Sequence, residues 1–243
     1  MTTAVILAGG LGTRLRSVVD DRPKPMAEVA GKPFLEHLMR YWLRQGIERF
    51  ILSVGYRAEQ IECYFGSTFE GSKVEYVQER IPLDTGGALM LCRERNTLTE
   101  PFLLLNGDTY FSVSLQALQE IAKQSHADWV LSLFPTKNRS RYLSIRVDDS
   151  GLISLENRVE PEPQSRANWA NGGVYWVNPQ ALEVFSGSIT KINLESEIFP
   201  RCVELGQLFF GLCSEEQFVD IGVPEDYVRA QTMPCFASNA TPD

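Results

Sequence analysis

The stretch that decides the fold is Val5-Ile6-Leu7-Ala8-Gly9-Gly10-Leu11-Gly12-Thr13-Arg14-Leu15. Its first four residues are apolar and predict a short strand buried on both faces, as in a parallel sheet. Three glycines follow within four positions, and glycine allows both a sharp turn and a close backbone approach to a ligand. Free N–H groups in such a turn can bind phosphate oxygens, and the guanidinium of Arg14 adds donors suited to phosphate.

Two familiar phosphate-binding loops do not fit this stretch. A dinucleotide fingerprint requires a third glycine where this chain has Leu15, and a P-loop requires Gly-Lys-Ser/Thr, which is absent. A glycine-rich turn with a purely structural role stays open at this point.

Residues 7–15, followed by Arg22-Pro23-Lys24-Pro25-Met26, closely resemble the signature of the sugar-1-phosphate nucleotidylyltransferases. The resemblance runs from Ala4 to Gln231 and is strongest in the opening loop and from Phe218 to Tyr227. It implies a nucleotide-diphospho-sugar transferase fold. This is an α/β, Rossmann-like, mostly parallel sheet flanked by helices, with a β-rich inserted portion for the sugar phosphate.

The order of the apolar segments supports the same architecture independently. Strand patterns alternate with helical stripes up to residue 134, which predicts a mostly parallel sheet covered on both faces. A turn at residues 148–151 then predicts a hairpin, and Leu194 to about Leu205 is expected to form a helix that is bent or interrupted at Pro200. We predict a single domain over residues 1–231 and a polar, disordered tail over 232–243.

Composition limits the partners. The net charge is −8 and no block of Lys and Arg occurs, which argues against nucleic acid and anionic membranes. The five cysteines are scattered and form no Cys-x-x-Cys pair, as expected of free thiols in a reducing compartment. With neither a signal peptide nor a membrane span, we expect a cytoplasmic protein, and a homodimer is compatible with the sequence.

Two aspartates follow predicted strands at positions 108 and 220. A lone aspartate there is most often a turn former or a helix cap. Two of them in a chain with a phosphate loop favour a Mg²⁺ site, because Mg²⁺ takes one or two carboxylates and completes its shell with phosphate oxygens and water. The resemblance implies the same metal ligands, Asp108 and Asp220.

The resemblance also implies a nucleotide site formed by the opening loop, Lys24 and Asp108. Arg14, Lys24 and Asp108 would be the catalytic residues, with the two cations neutralising charge on the α-phosphate and the departing pyrophosphate. Composition alone would make Lys24 an ordinary surface lysine. The expected nucleotide contacts in the loop are Leu7, Ala8, Gly9, Gly10, Gly12, Thr13 and Arg14.

The nucleobase segment implied by the resemblance spans residues 77–89, with Thr85, Gly86 and Gly87 close to the base and ribose. Glu79 takes the position that contacts the base edge. A carboxylate only accepts hydrogen bonds, which matches the adjacent N1–H and N2 donors of guanine and favours GTP. A one-residue slip to Gln78, or a solvated Glu79, remains open. Asp84 departs from the family, which often has glycine there.

On the sugar side, the resemblance implies contacts from Asn171, Gly172, Gly173 and Glu195. The family's Glu-Lys pair after the hairpin is replaced here by Glu156 and, two positions later, Arg158, so the usual lysine is absent. A helix-surface role for Glu195 is an equally good interpretation.

The implied reaction joins an NTP and a sugar 1-phosphate to give an NDP-sugar and pyrophosphate. Within the family, the chain looks most like the D-glycero-D-manno-heptose 1-phosphate guanylyltransferases. Mannose-1-phosphate guanylyltransferases, muramate and other sugar-1-phosphate uridylyltransferases, and a non-catalytic nucleotide-sugar-binding regulatory subunit are the alternatives. The chain shows no Ser/His/Asp or Cys/His pattern for covalent catalysis, and nucleotidyl transfer needs none, since the acceptor phosphate is itself the nucleophile.

Overall fold

A computed structural model describes residues 1–10, 12, 15, 19–96, 98–136, 144–154, 169–185 and 189–237. Its strands, in chain order, are β1 (Thr3–Leu7), β2 (Glu28–Val29), β3 (Lys32–Pro33), β4 (Arg49–Val54), β5 (Thr68–Phe69), β6 (Ser72–Gln78), β7 (Phe102–Asn106), β8 (Thr109–Phe111), β9 (Trp129–Pro135), β10 (Ser144–Val147), β11 (Ile153–Ser154), β12 (Trp169–Val177), β13 (Phe209–Cys213) and β14 (Phe218–Asp220).

The α-helices are α1 (Phe34–Arg44), α2 (Ala58–Phe65), α3 (Asp84–Arg95), α4 (Leu115–Ser125), α5 (Phe199–Glu204), α6 (Pro224–Ala230) and α7 (Pro234–Ala237). Two 3₁₀ helices span Lys24–Met26 and Pro179–Phe185, and a π-helix spans Leu194–Ile198. Of the described helices, none combines the length and apolar character that crossing a bilayer requires.

The main sheet has ten strands, and its central strands lie in the order β7-β1-β4-β6, all parallel. Antiparallel strands β12, β10 and β11 continue the sheet beyond β7, and β9 links β12 to β13. The predicted α/β sheet with a β-rich portion is therefore confirmed. The predicted hairpin is present as the antiparallel pair β10–β11.

Helices cover both faces of the sheet because β1 is apolar on both sides. Ala4, Val5 and Ile6 have no exposed surface. Ala4 and Ile6 belong to the cluster that contains α1, whereas Val5 faces the opposite cluster, which contains residues of α3 and α5. This two-sided burial fixes β1 at the centre of the sheet and directs the loop that follows it to the carboxyl edge, where open α/β sheets bind ligands.

The helix predicted from Leu194 is interrupted next to Pro200: it begins as a π-helix and becomes α-helical at Phe199. The Phe199 N–H donates to the Leu194 carbonyl, five residues back. Pro200 has no N–H to donate, which is consistent with the helical hydrogen-bond pattern changing at this point. The break therefore precedes the proline.

The predicted disordered tail is wrong for its first residues. Pro234–Ala237 form α7, and Phe236 is only 1% exposed. Its ring packs against Phe34, His37 and Tyr110, with centroids 5.9, 4.9 and 5.0 Å away. The polar composition of the segment concealed one aromatic side chain, whose burial is worth about 2–3 kcal/mol. Residues 238–243 lie outside the described part, and the 1–231 boundary stays a prediction.

Candidate active site

The opening loop lies where three parallel strands end. The Gly107 N–H donates to the Leu7 carbonyl at 3.0 Å, and the Ala8 N–H donates to the Ser53 carbonyl at 2.8 Å. A Cβ at Gly107 would lie 2.7 Å from the Leu7 oxygen, and one at Gly55 would lie 2.8 Å from the Gly9 oxygen. Glycine after each neighbouring strand therefore lets the loop backbone pack this closely.

Lys24 enters the same place from the 3₁₀ turn between its two prolines. Its side chain is only 9% exposed, so it is not the surface lysine that composition alone would suggest. Gly12 has a φ of +59°, and a Cβ there would lie 2.9 Å from the Lys24 Cβ. The glycine loop thus packs directly on the stem of this lysine.

The two aspartates that follow separate strands meet at Lys24. Strands β14 and β8 are antiparallel, with Asp220 opposite Thr109, the neighbour of Asp108. The Lys24 ammonium pairs with Asp108 Oδ2 and lies 3.8 Å from Asp220 Oδ1. The structure therefore brings together three residues far apart in the sequence, at the edge where the opening loop leaves β1.

Hydrogen bonds hold both carboxylates in place, Asp108 through the oxygen that does not pair with Lys24 and Asp220 through the oxygen nearer to Lys24. Asp108 Oδ1 accepts from the Thr109 hydroxyl at 3.2 Å, and Asp220 Oδ1 accepts from the Gly222 N–H at 2.7 Å. Partial burial raises the pKa of Asp108, but the adjacent Lys24 ammonium outweighs it, so this pKa lies below its ordinary value. Asp108 is consequently ionised at neutral pH.

Lys24, Asp108 and the opening loop line one open cleft. Its walls are Leu7, Ala8, Gly10, Gly12, Lys24, Pro25, Asp108 and Gly222. Among the residues that the structure describes, none has an atom within 4 Å of the position a Cβ would take at Gly10. The cleft combines backbone groups, one ammonium and a carboxylate, which suits a phosphate chain with its counter-ion.

Glu79 lies beside the opening loop at the end of β6. Its Oε1 accepts from the Ser53 hydroxyl at 3.0 Å and its Oε2 accepts from the Leu83 N–H at 3.1 Å. A Cβ at Gly9 would overlap Glu79 Oε1, so the carboxylate faces the loop backbone. Burial raises the pKa of Glu79, with a smaller contribution from Asp84, while its two hydrogen bonds oppose the shift. Glu79 is therefore half-buried and held in place.

The segment after Glu79 is joined to the start of the π-helix. The Gly86 and Gly87 N–H groups both donate to the Ile192 carbonyl, at 2.9 and 3.0 Å, and the Leu194 N–H donates to the Thr85 hydroxyl at 3.0 Å. A Cβ at Gly86 would lie 2.8 Å from the Ile192 oxygen, so these glycines pack against protein backbone.

Asp84, where the family often has glycine, has a φ of +61°. This left-handed region favours glycine and tolerates aspartate. Its Oδ1 accepts from the Asn193 side chain at 3.1 Å, and Asn193 caps the π-helix by accepting from the Glu195 and Ser196 N–H groups. Sequence reasoning missed Asn193, although an asparagine ahead of a helical stretch is a recognisable cap signal.

The sugar-side residues meet at a bulge in β12. The pairing of β12 with β9 shifts register between Asn171 and Tyr175, and bulges often adjoin active sites. Asn171 Nδ2 donates to Glu195 Oε1 at 2.7 Å, and the Tyr175 hydroxyl donates to the same oxygen at 3.1 Å. Gly173 has a φ of +69° and packs on Asn106, whereas Gly172 packs on the Phe111 ring.

These two hydrogen bonds hold the Glu195 carboxylate against β12. The desolvation of its carboxyl group raises its pKa, the Tyr175 hydroxyl lowers it, and the Asp108 and Asp84 carboxylates raise it further. Tyr175 was missed by the sequence analysis because it reads as an ordinary strand aromatic. Among the predicted site residues, Thr13, Arg14, Glu156 and Arg158 lie outside the described residues.

The chemistry of the donor set fits a hard divalent cation. Asp108 and Asp220 supply carboxylate oxygens on either side of one point, and Mg²⁺ requires only one or two such ligands when phosphate oxygens complete its shell. Over the described ranges, no cluster of three or more acidic, His or Cys side chains with metal-binding geometry occurs.

The chain is similar in sequence to proteins of known name. The D-glycero-alpha-D-manno-heptose 1-phosphate guanylyltransferase of Aneurinibacillus thermoaerophilus is 42% identical over 228 residues, which cover 94% of this chain and 96% of the relative. The protein of the same name from Campylobacter jejuni subsp. jejuni is 36% identical, over 92% of this chain and 96% of its own length.

The chain is also similar to solved structures. The crystal structure of HddC from Yersinia pseudotuberculosis complexed with GMP-PN matches with a TM-score of 0.78 and 33% identity, covering 95% of this chain and 98% of that chain. The nucleotidyl transferase family model matches residues 3–234. The chain therefore belongs to the nucleotidyl transferase family.

Proposed function

We propose that this protein transfers GMP from GTP to a sugar 1-phosphate, with D-glycero-D-manno-heptose 1-phosphate as the favoured acceptor, to give the GDP-sugar and pyrophosphate. The observation that carries the proposal is the convergence of the opening loop, Lys24 and Asp108 on one cleft, with the Asp220 carboxylate 3.8 Å from the Lys24 ammonium. The two relatives described above carry the name of this activity, and the HddC structure contains a guanine nucleotide analogue.

Glu79 supports guanine as the base. Each of its oxygens already accepts one hydrogen bond from the protein, and a carboxylate oxygen has a second lone pair available. Guanine offers two adjacent donors, N1–H and N2–H, that match two acceptors side by side. Uracil and thymine present one donor between two acceptors, which an amide would match better.

For the transfer itself, positioning and charge stabilisation are sufficient. The backbone of the opening loop would hold the phosphates, Lys24 would neutralise charge that develops at the α-phosphate, and Arg14 is proposed to assist it. Asp108 and Asp220 would hold Mg²⁺, which neutralises the triphosphate when bound. On the sugar side, Glu195 would accept hydrogen bonds from sugar hydroxyls and Asn171 would donate to them. Gly172 and Gly173 would allow the sugar to approach the backbone closely. Glu156 and Arg158 are proposed to act at the acceptor phosphate.

The test is pyrophosphate release from GTP, UTP, dTTP and CTP against heptose, mannose, glucose and N-acetylated sugar 1-phosphates. We expect turnover with GTP and the heptose substrate. Preference for mannose 1-phosphate would keep the guanylyltransferase assignment and change the acceptor, whereas preference for UTP would remove the role of Glu79. A lack of turnover with every pair would favour a non-catalytic binding subunit.

We also propose a cytoplasmic location, since the proposed substrates are phosphorylated metabolites. A homodimer stays a prediction that light scattering on the purified protein would decide.

A further inference from the structure

The arrangement of Lys24 leads to an inference about its own role, which rests on the proposed function. Its ammonium lies between the two carboxylates expected to hold a divalent cation, paired with Asp108 Oδ2 and 3.8 Å from Asp220 Oδ1. The Lys24 side chain is 9% exposed, against 34% for Asp108 and 18% for Asp220. The lysine is therefore the innermost group of the three.

The surroundings keep the ammonium at this point. A Cβ at Gly222 would lie 2.9 Å from Lys24 Nζ and 2.6 Å from Asp220 Oδ1, so glycine leaves just enough room for both charged groups. On the other side, the stem of Lys24 packs against Gly12 of the opening loop. The contacts at both ends of the side chain hold it between the carboxylates.

We propose that Lys24 acts as an internal counter-ion that competes with a divalent cation for Asp108 and Asp220. The ammonium and the cation need the same inward-facing oxygens and repel one another at this separation. Two carboxylates already neutralised in part by one ammonium attract a second cation weakly. When a triphosphate brings its own negative charge into the cleft, Lys24 gains a new partner and the carboxylates become available.

This role has a consequence for the order of events. The free protein holds a divalent cation weakly, and cation and nucleotide enter the site together. A lysine that only contacted phosphate would leave metal binding to the free protein unchanged when it is removed, so the two roles are distinguishable without any measurement of turnover.

The experiment measures Mn²⁺ binding to the free protein by electron paramagnetic resonance, in the wild type and in Lys24→Met. We expect the Kd for Mn²⁺ to fall at least tenfold in Lys24→Met, a change of about 1.4 kcal/mol, because a neighbouring positive charge has been removed. Lys32→Met, which removes a lysine paired with Glu36 at 3.3 Å, is the matched control and should bind Mn²⁺ as the wild type does.

Circular dichroism would show whether Lys24→Met is folded, and Lys24→Gln provides a second neutral variant if it is not. An additional Asp108→Asn change should reverse the gain in affinity. An unchanged or weaker affinity in folded Lys24→Met would overturn the inference. If the wild type fails to bind Mn²⁺ even with GTP present, the proposed metal site itself is wrong, which is a different result.

Discussion

Replacing Glu79 by glutamine gives the sharpest test of how the base is selected. In Glu79→Gln, the amide can retain an oxygen toward the Leu83 N–H and direct its NH₂ group toward the Ser53 hydroxyl, which can accept. The edge facing the base then carries one acceptor and one donor. Guanine presents two donors to this edge. One of its hydrogen bonds to a charged oxygen is therefore lost, and a guanine N–H is left facing the N–H of the glutamine amide.

The size of the effect follows from these contacts. A hydrogen bond to a charged group is worth about 1.5–3 kcal/mol, and an unsatisfied buried donor costs about 1–3 kcal/mol. Taking about 3 kcal/mol in total, kcat/KM for GTP should fall by about 10²-fold, at about 1.4 kcal/mol for each factor of ten. Because uracil pairs well with an amide, kcat/KM for UTP should rise.

The assay is pyrophosphate release with GTP and UTP at fixed acceptor, compared with Glu75→Gln. Glu75 lies on β6, the strand that precedes Glu79, but pairs with Arg49 and Lys73, so its variant should keep the GTP preference. The pH profile adds an independent arm. Burial raises the pKa of Glu79, and only the ionised form accepts from both guanine donors. As the pH falls, kcat/KM for GTP should therefore begin to decline at a higher pH than it would with a carboxyl group of ordinary pKa. Glu79→Gln should lack that decline, and a variant that keeps both the GTP preference and the pH profile would refute the reasoning.

Four further variants test the rest of the site and the fold. Asp108→Asn should lower kcat by at least about 10²-fold, the scale expected when one preorganised charged group is lost, and an unchanged kcat would remove the metal assignment. Its lower Tm at pH 7 should approach that of the wild type as the pH falls below about 4, because a depressed pKa gives a stabilisation that is complete above the unfolded-state pKa and is lost as the pH falls through the folded-state value. Gly107→Ala places a Cβ 2.7 Å from the Leu7 oxygen and should cost about 1–3 kcal/mol of unfolding free energy in urea. Gly10→Ala, whose Cβ meets no atom of the described residues within 4 Å, should keep that stability and raise KM for GTP; equal stability of the two variants would contradict the packing account. Phe236→Ala should cost about 3 kcal/mol in the same urea experiment, and a loss below about 0.5 kcal/mol, typical of exposed positions, would show that α7 is not part of the core.

The sequence was sufficient for the central strands because their signals are local. Val5 is buried on one face of β1 and its neighbours on the other, which a continuous apolar run predicts. The start of α4 has an equally local signal, because serine is a preferred N-cap residue and the Ser114 hydroxyl accepts from the Ala117 N–H. The position of Phe236 could not be predicted, since its partners Phe34 and Tyr110 lie far from it in the chain.

The same distinction applies to the candidate site. The residue types of Lys24, Asp108 and Asp220 could be selected from the sequence, but the pairing of β14 with β8 places the aspartates together, and no local signal predicts that pairing. The contacts of residues 83–87 with residues 192–194 join segments 109 positions apart. The Asp84–Asn193 and Thr85–Leu194 hydrogen bonds therefore had no sequence signal beyond the cap preference of asparagine.

These long-range contacts give the site a property that its separate motifs lack. The glycines expected near the base donate to Ile192, and Asn193 of the same segment caps the π-helix that carries Glu195. A displacement of residues 83–87 by a bound nucleotide would thus be transmitted to the carboxylate proposed to contact the sugar. The hydrogen bond between Asp84 and Asn193 strengthens this link, and it gives a physical reason for accepting an aspartate at a φ of +61°, where glycine would be free of strain. In this chain, the segment proposed to lie near the base and the first turn of the helix that carries Glu195 are therefore joined directly by hydrogen bonds.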